Sequence, residues 1–325
     1  MNAMMSSGRE RDRTTPLFLG ATVLIAIGAP FVFYPLFLTK VLCYALFASA
    51  FNFLLSSCGL LSFGHAAYFG AAAYAAGHAA KVWGWPFEAS LVLGVATAAM
   101  LGAGFGYVAI RRQGIYFAMI TLALAQMVYF FALQAPFTGA EDGLTAIPRG
   151  KVLNLFNLDN AFTLYFTTLL IFIASIILIH RVIHSPFGHI LYAIRDNESR
   201  AVSLGFEANR FKLQAFVLSA ALAGLAGANK AIAFKLATLT DVHWTTSGSI
   251  ILMTLLGGLG MLLGPFVGAL VVVTLENYLA DSGLPIQAVI GAIFTLCILL
   301  FRRGIVGEAQ ALLDRLRRPP DIHQA

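Results

Sequence analysis

The sequence predicts an all-α polytopic membrane protein with about ten transmembrane helices, both ends of the chain on the cytoplasmic side. Three observations carry this expectation. Hydrophobic residues make up 59% of the 325 residues and charged residues only 11%, against roughly 25% charged in a soluble domain. Apolar runs long enough to cross a bilayer recur along the whole chain, and stretches such as ALFASAFNFLL show none of the alternation of a β-barrel strand. Lys and Arg, finally, fall unevenly on the two sides of the spans, as the positive-inside rule requires.

Taken in order, residues 1–15 form a polar tail of mixed charge, and 16–303 form the membrane domain, followed by a second tail over 304–325. The spans are expected at about 17–37, 41–57, 60–82, 88–110, 114–134, 162–183, 213–234, 248–263, 264–280 and 286–301. This threading places Arg9, Arg11, Arg13, Arg111, Arg112, Arg181, Arg195, Arg200, Arg210, Lys212, Arg302, Arg303, Arg315, Arg317 and Arg318 inside. Lys40, Lys81, Arg149, Lys151, Lys230 and Lys235 fall outside, so fifteen of the 21 cations are cytoplasmic. The net charge of +6 thus marks orientation rather than a nucleic acid partner. Trp83, Trp85 and Trp244 all fall at the outer interface, where indole rings anchor spans in lipid.

The outer loop over 135–161 contains FTGAEDGLTAIPRG, with Gly139, Asp142 and Gly143 as turn formers and Pro148 stiffening the residues after it. It reads either as a plain surface loop or as a docking or gating element. Two stretches are rich in small residues: GLLSFGHAAYFGAAAYAAGH, with Gly59, Gly64, Gly70 and Gly77, and GGLGMLLGPFVGAL, with Gly260, Gly264 and Gly268 around Pro265. Such residues let helices approach closely in lipid. If ten spans divide five and five, the halves run in opposite orientation, and both stretches fall at the third span of a half. Broken spans at matched positions of an inverted repeat point to a transport route.

The longest polar interruption is the cytoplasmic loop 184–212, SPFGHILYAIRDNESRAVSLGFEANRFK in its conspicuous part. Ser185-Pro186 has the cap-then-proline order that starts a helix. Phe187, Leu191 and Ile194 make one apolar stripe along it. Asn197 caps a second short helix, which Gly205 ends in the left-handed conformation. Two short helices with an apolar stripe and a charged rim form a plug for a groove on another protein.

Few ionisable groups lie within the spans. His65 reads as a pathway or gating group, or as a hydrogen-bond partner of a neighbouring helix; Glu276 sits near the outer end of the ninth span and can reach the interface. Thr121, Gln126 and Tyr116 add polarity to the fifth span. Gly64, His65, Tyr68, Thr121, Gln126, Gly260 and Gly264 are the candidate route residues. No P-loop and no HExxH occurs, and His180 and His184 at the inner interface have no third ligand near them in sequence. Cys43, Cys58 and Cys297 lie in apolar runs without metal-type spacing and read as small hydrophobes. No cleavable signal peptide is expected, and no enzymatic activity, metal or cofactor in this chain.

The segments GLLSFGHAAYFGAAAYAAG, RRQGIYFAMITLALAQM, TGAEDGL, SPFGHILYAIRDNESRAVSLGFEANRFKLQAFVLSAALAGLAGA and ILMTLLGGLGMLLGPFVGAL occur in this order. Together they resemble the permease subunits of branched-chain amino acid ABC importers, specifically the longer of the two paired permeases, over about residues 40–305. The resemblance implies a bacterial inner-membrane complex. Its other parts would be a second, homologous permease subunit, two cytoplasmic ATP-binding subunits that hold the ATP and Mg, and a periplasmic substrate-binding protein. It also implies that Arg195, Asp196, Glu198, Arg200, Ala201 and Gly205 belong to the element that couples this chain to an ATPase, with Glu198, Ala201 and Gly205 most like the seating motif. The same family serves urea, short amides and other small organic acids. A secondary transporter would carry more intramembrane acids, a channel would not require the coupling segment, and a membrane scaffold would not require Gly-rich broken spans.

Overall fold

The computed structural model describes residues 26–152, 155–279, 288–289, 291–292, 295 and 304–308. Residues 17–25 of the first expected span, most of the span expected at 286–301, Cys297 and most of both tails lie outside the described residues. Within that first span residues 29–31 form a 3-10 turn and a new helix already starts at Pro35, so the span does not run on to residue 37. Eleven α-helices follow one another among those described: α1 (Pro35–Cys58), α2 (His65–Lys81), α3 (Phe87–Ala109), α4 (Ile115–Gln134), α5 (Ala161–Ile183), α6 (Pro186–Asp196), α7 (Glu198–Ser203), α8 (Ala208–Phe234), α9 (Leu239–Val242), α10 (Trp244–Gly257) and α11 (Gly264–Leu279). Four two-residue strands complete the description: β1 (Leu144–Thr145) pairs antiparallel with β4 (Leu236–Ala237), and β2 (Lys151–Val152) with β3 (Phe156–Asn157).

Five helices, α1, α3, α4, α5 and α8, are long and apolar enough to cross a membrane, so the chain is a multi-pass, helical membrane protein. The others are shorter than the expected spans. The 14 residues of α10 and 16 of α11 rise about 21 and 24 Å, less than the roughly 30 Å hydrocarbon core. The boundaries shift for identifiable reasons. Pro35 opens α1 six residues before the expected start, because extended Tyr34 precedes it and proline suits the first helical position. The helix expected from residue 60 starts only at His65: Gly59 takes φ +69° and closes α1, leaving 59–64 as a turn. Likewise α10 ends at Gly257, and 258–263 form a turn before α11. Each Gly-rich stretch therefore holds a turn between two helices (59–64 and 258–263) and runs on into the helix that follows, rather than breaking one span.

Both turns reverse the chain. Phe51 stacks edge-on to His65 and Phe47 stacks on Phe69, four residues up one helix for four down the other, so α1 and α2 are antiparallel. A Cβ added at Gly268 would run into the backbone of Met253, and one at Gly257 into Gly264, which makes α10 and α11 a close hairpin.

The centre of the bundle is α1, buried over 83% of its apolar window, because it is hydrophobic on every side. Beside it α2, α3 and α8 pack through small residues. Gly94, Ala98, Gly102 and Gly106 of α3 meet Ala228, Gly224, Ala220 and Phe216 of α8, one turn at a time in antiparallel order. A Cβ at Gly102 would lie 2.5 Å from that of Ala220, and one at Gly94 would lie 2.7 Å from that of Ala228. In lipid, where apolar surface gains nothing from leaving the solvent, such close approach is what holds helices together.

The two ends of the bundle differ. One carries α6 and α7. The other carries Trp83, Trp85 and Trp244, all exposed, and the loop after α4. That loop is bound down: β1 pairs with β4, Ile147 N–H donates to the Lys235 carbonyl (3.2 Å), and Leu144 and Ile147 are buried against Gly77 of α2. The loop is held against the bundle at these points, while Phe137, Leu155 and Phe156 remain exposed on it.

Candidate functional site

The α6–α7 element is built by its caps. Ser185 Oγ accepts from Gly188 N–H (3.4 Å) with Pro186 at the first position, and Asn197 Oδ1 accepts from Arg200 N–H (3.0 Å). Gly205, at φ +91°, turns the chain away from α7. The apolar stripe, however, faces the protein's own body. Leu191 and Ile194 are buried, Phe187 is half-buried against Phe211, and Ala201 joins Ile194 and Ala208 in a small cluster with Ile190, Phe206 and Phe211. Ala201 is therefore an internal packing residue. The apolar side chains the element presents outward are Val202 (54% exposed) and Leu204 (72%).

Charges tie the element to the bundle. Glu198 receives Lys212 Nζ at 2.6 Å, and Gln113 Nε2 donates to the same oxygen. Lys212 is only 4% exposed, so this pair holds α7 on α8. Arg195 donates through its guanidinium to the carbonyl of Ser56 in the last turn of α1, pairs with Asp196 at 3.3 Å, and lies over Tyr192. A cation on the last carbonyls of a helix also meets the negative end of its dipole. The Arg195 side chain covers Gly59, whose added Cβ would lie 3.1 Å from the Arg195 Cγ. Asp196, Arg200 and Gly205 are exposed.

From Gly59 the chain enters the first turn, and a single polar side chain fixes its far end. Thr121 of α4 accepts from Phe63 N–H (3.2 Å) while donating to the Ala118 carbonyl, and its own carbonyl lies 2.8 Å from where a Cβ of Gly64 would stand. The second turn is fixed in the same way. Asn52 of α1 donates to the Met261 carbonyl (3.0 Å) and accepts from Gly260 N–H (3.2 Å). Gly264 packs on Gly257 and Gly258. Gln126 is half-buried on α4, and Tyr116 is exposed.

His65 and Tyr68 open α2 just behind the first turn, and both are buried. His65 Nε2 is 2.9 Å from Ser219 Oγ, which donates to the Ala50 carbonyl (2.7 Å). Phe51, Tyr68 and Phe216 surround the imidazole edge-on. Its Nδ1 and the Tyr68 hydroxyl have no partner among the described residues. The structure thus brings Gly64, His65, Tyr68 and Thr121 together, and Gly260 with Gly264, as two clusters bridged by α1.

Sequence reading passed over a third polar group, at the opposite end. Lys230, one turn from the end of α8, lies 2.6 and 2.8 Å from the two carboxylate oxygens of Asp241 in α9. Asp241 also accepts from Thr238 N–H and Oγ, which caps α9. Asn229 donates to Thr168 Oγ and Cys43 Sγ. Eleven residues and a chain reversal separate Lys230 from Asp241, so no local pattern announces the pair. A cavity of about 360 Å³ nearby, lined by Trp85, Arg149 and Lys151, contains none of the expected route residues.

The comparisons with known proteins return permeases. The family model described as the permease component of the branched-chain amino acid transport system matches residues 34–301. The chain is 25% identical over 316 residues to the high-affinity branched-chain amino acid transport permease protein LivM of Escherichia coli K12, and equally to that of Salmonella typhimurium LT2. Each match covers 89% of this chain and 74% of the relative. It is also 30% identical over 154 residues to the ribose import permease protein RbsC of Bacillus subtilis 168, covering 46% of this chain and 44% of that one. No solved structure matches. With the family model covering most of the described helices, the chain belongs to the permease components of branched-chain amino acid transport systems.

Proposed function

We propose that this chain moves branched-chain amino acids across a bacterial inner membrane as one of two homologous permease subunits. Two ATP-binding partners would hydrolyse the ATP, and a periplasmic binding protein would deliver the substrate. In this reading both chain ends and the α6–α7 element are cytoplasmic, and the loop after α4 is periplasmic. The observation that carries it is the α6–α7 element itself. It is capped at both starts, bound to α1 by Arg195 and to α8 by Glu198–Lys212, and it presents Val202 and Leu204 outward. Apolar side chains at the tip of a rigid, internally braced element suit insertion into a groove on a partner. The route would pass the two turns, flanked by Gly64, His65, Tyr68, Thr121, Gln126, Gly260 and Gly264.

A second reading keeps the same importer class with urea, short amides or aromatic or organic acids as cargo. Uptake by the reconstituted complex separates the two. Leucine uptake should require ATP and the binding protein and should be competed by isoleucine and valine, not by urea, amides or aromatic acids. Uptake that persists without ATP would refute the importer reading, and competition by urea would move the substrate.

A further inference from the structure

Among the ion pairs of the described residues, Lys230–Asp241 is the one with both partners nearly buried, at 12% and 4% exposure. It sits where the bundle is closed at the end away from α6. There α9 lies across α2, with the backbone nitrogen of Val242 2.9 Å from the site of a Cβ on Gly70. β4, just before it, pairs with β1 in the loop after α4. A group beside the pair is incompletely satisfied. The Tyr74 hydroxyl is buried without a hydrogen-bond partner among the described residues, and Asp241 acts electrostatically on the hydroxyls of both Tyr44 and Tyr74. A buried hydroxyl left open beside a buried pair of opposite charges is hydrogen-bonding capacity that the described part of the chain does not use.

We propose that Lys230 and Asp241 form a binding station for a small zwitterion, the carboxylate of an α-amino acid going to Lys230 and its ammonium group to Asp241. The proposal rests on the amino acid reading of the cargo. The physical reason lies in charge pairing. Breaking a buried pair leaves each charge uncompensated, which is strongly unfavourable. A ligand carrying a single charge would satisfy one partner and strand the other. A zwitterion replaces one internal pair by two intermolecular pairs and strands neither. The Tyr74 hydroxyl then supplies a further hydrogen bond to the bound zwitterion. Because Asp241 also caps α9, the same exchange loosens the element that closes this end.

The test uses the complete complex with its binding protein. Lys230→Met combined with Asp241→Asn removes both charges together, and the asparagine keeps an acceptor for Thr238. We expect this variant to assemble and to unfold within a few degrees of wild type, with leucine uptake reduced at least tenfold. Wild-type uptake by the assembled variant would overturn the station and leave the pair as a structural latch. Amide hydrogen exchange on the unaltered complex tests the station independently, even if the variant fails to assemble. Excess leucine should accelerate exchange over residues 236–243, while 4-methylpentanoate and isoamylamine, each with one charged end, should not. No change with leucine, or the same change with either one-ended analogue, would refute the proposal. Absence of leucine uptake by the wild-type complex would instead refute the amino acid reading.

Discussion

Replacing glycines along α3 and α8 by alanine should produce a graded response that the structure ranks in advance. At Gly104, on α3, an added Cβ meets nothing within 4 Å among the described residues. The methyl group enters free space and reduces the conformational freedom of the unfolded chain, so the change should be neutral or stabilising by up to about 1 kcal/mol. At Gly102, two residues earlier, the new Cβ would stand 2.5 Å from the Ala220 Cβ. Neither a methyl group nor the helix backbone carrying it can swing aside, so α3 must retreat from α8 by about 1 Å. A gap of that size forfeits up to half of each van der Waals well; over on the order of 20 atom pairs worth about 0.1–0.2 kcal/mol each, the loss is about 1–2 kcal/mol. This agrees with the about 1–3 kcal/mol typical of overpacking. At Gly227 the Cβ would fall inside the backbone of Phe69, and the cost should be greatest.

The consequence is sharpest for α3, because only 22% of its apolar window is buried and the stripe facing α8 is its main attachment. The assay is thermal unfolding of the purified complex in nanodiscs, followed by size-exclusion chromatography after heating. The order of midpoints should be Gly104→Ala at or above wild type, then Gly102→Ala, then Gly227→Ala. Equal midpoints for Gly104→Ala and Gly102→Ala would refute the view that close approach of these backbones holds the bundle together.

Three further outcomes are expected. Gly205→Leu forces a side chain onto a φ of +91°, a strain of about 1–3 kcal/mol, and Leu204→Arg charges the outward tip of α7. Both should lower ATP-driven uptake while α1–α5 stay folded, and unchanged uptake with normal ATPase co-purification in both would count against the coupling role. A single cysteine at Glu141 should react with an impermeant reagent in intact spheroplasts and one at Arg195 should not; the reverse pattern would invert the topology. His65→Ala removes the group hydrogen-bonded to Ser219, and Tyr68→Ala removes a buried ring. Measured uptake relative to thermal midpoint tells route from packing, since a route residue lowers uptake at constant stability and a packing residue lowers both.

What could be read from the sequence was whatever is encoded locally. Ser185, Pro186, Asn197 and Gly205 announce the caps of α6 and α7 because capping involves residues two or three apart. The facing of Ala201 could not be read, since it depends on Ile194 and Ala208 meeting it in three dimensions. Hydropathy runs straight through the first turn, because Leu60, Leu61 and Phe63 are as apolar as any span; only Gly59 marks the reversal. The stripe of Gly94, Ala98, Gly102 and Gly106 was present as a four-residue period and was available as a packing signal. Lys230–Asp241 was not available, because charge pairs formed across a chain reversal leave no periodicity. Nor was Asn52, which meets a turn more than two hundred residues away.

The polar cross-links converge on the last three turns of α1. The carbonyls of Ala48, Ala50 and Ser56 accept from Thr254 of α10, Ser219 of α8 and Arg195 of α6, and Asn52 holds the turn before α11. Each donor comes from a different element, so no two of them can move apart without one of these bonds changing. A displacement of α6 must either carry the end of α1 with it or break the Arg195–Ser56 bond, which would expose Gly59 and free the turn that leads to His65. His65 in turn touches α8 through Ser219, and α8 carries Lys230 eleven residues further on, about 16 Å along a continuous helix. The α6–α7 element and the buried pair at the other end are therefore joined by rigid helix and by three named hydrogen bonds. The glycine-packed contact of α3 with α8 lies outside that path, because the stripe from Gly94 to Gly106 faces α8 on its own helix and none of these bonds involves α3.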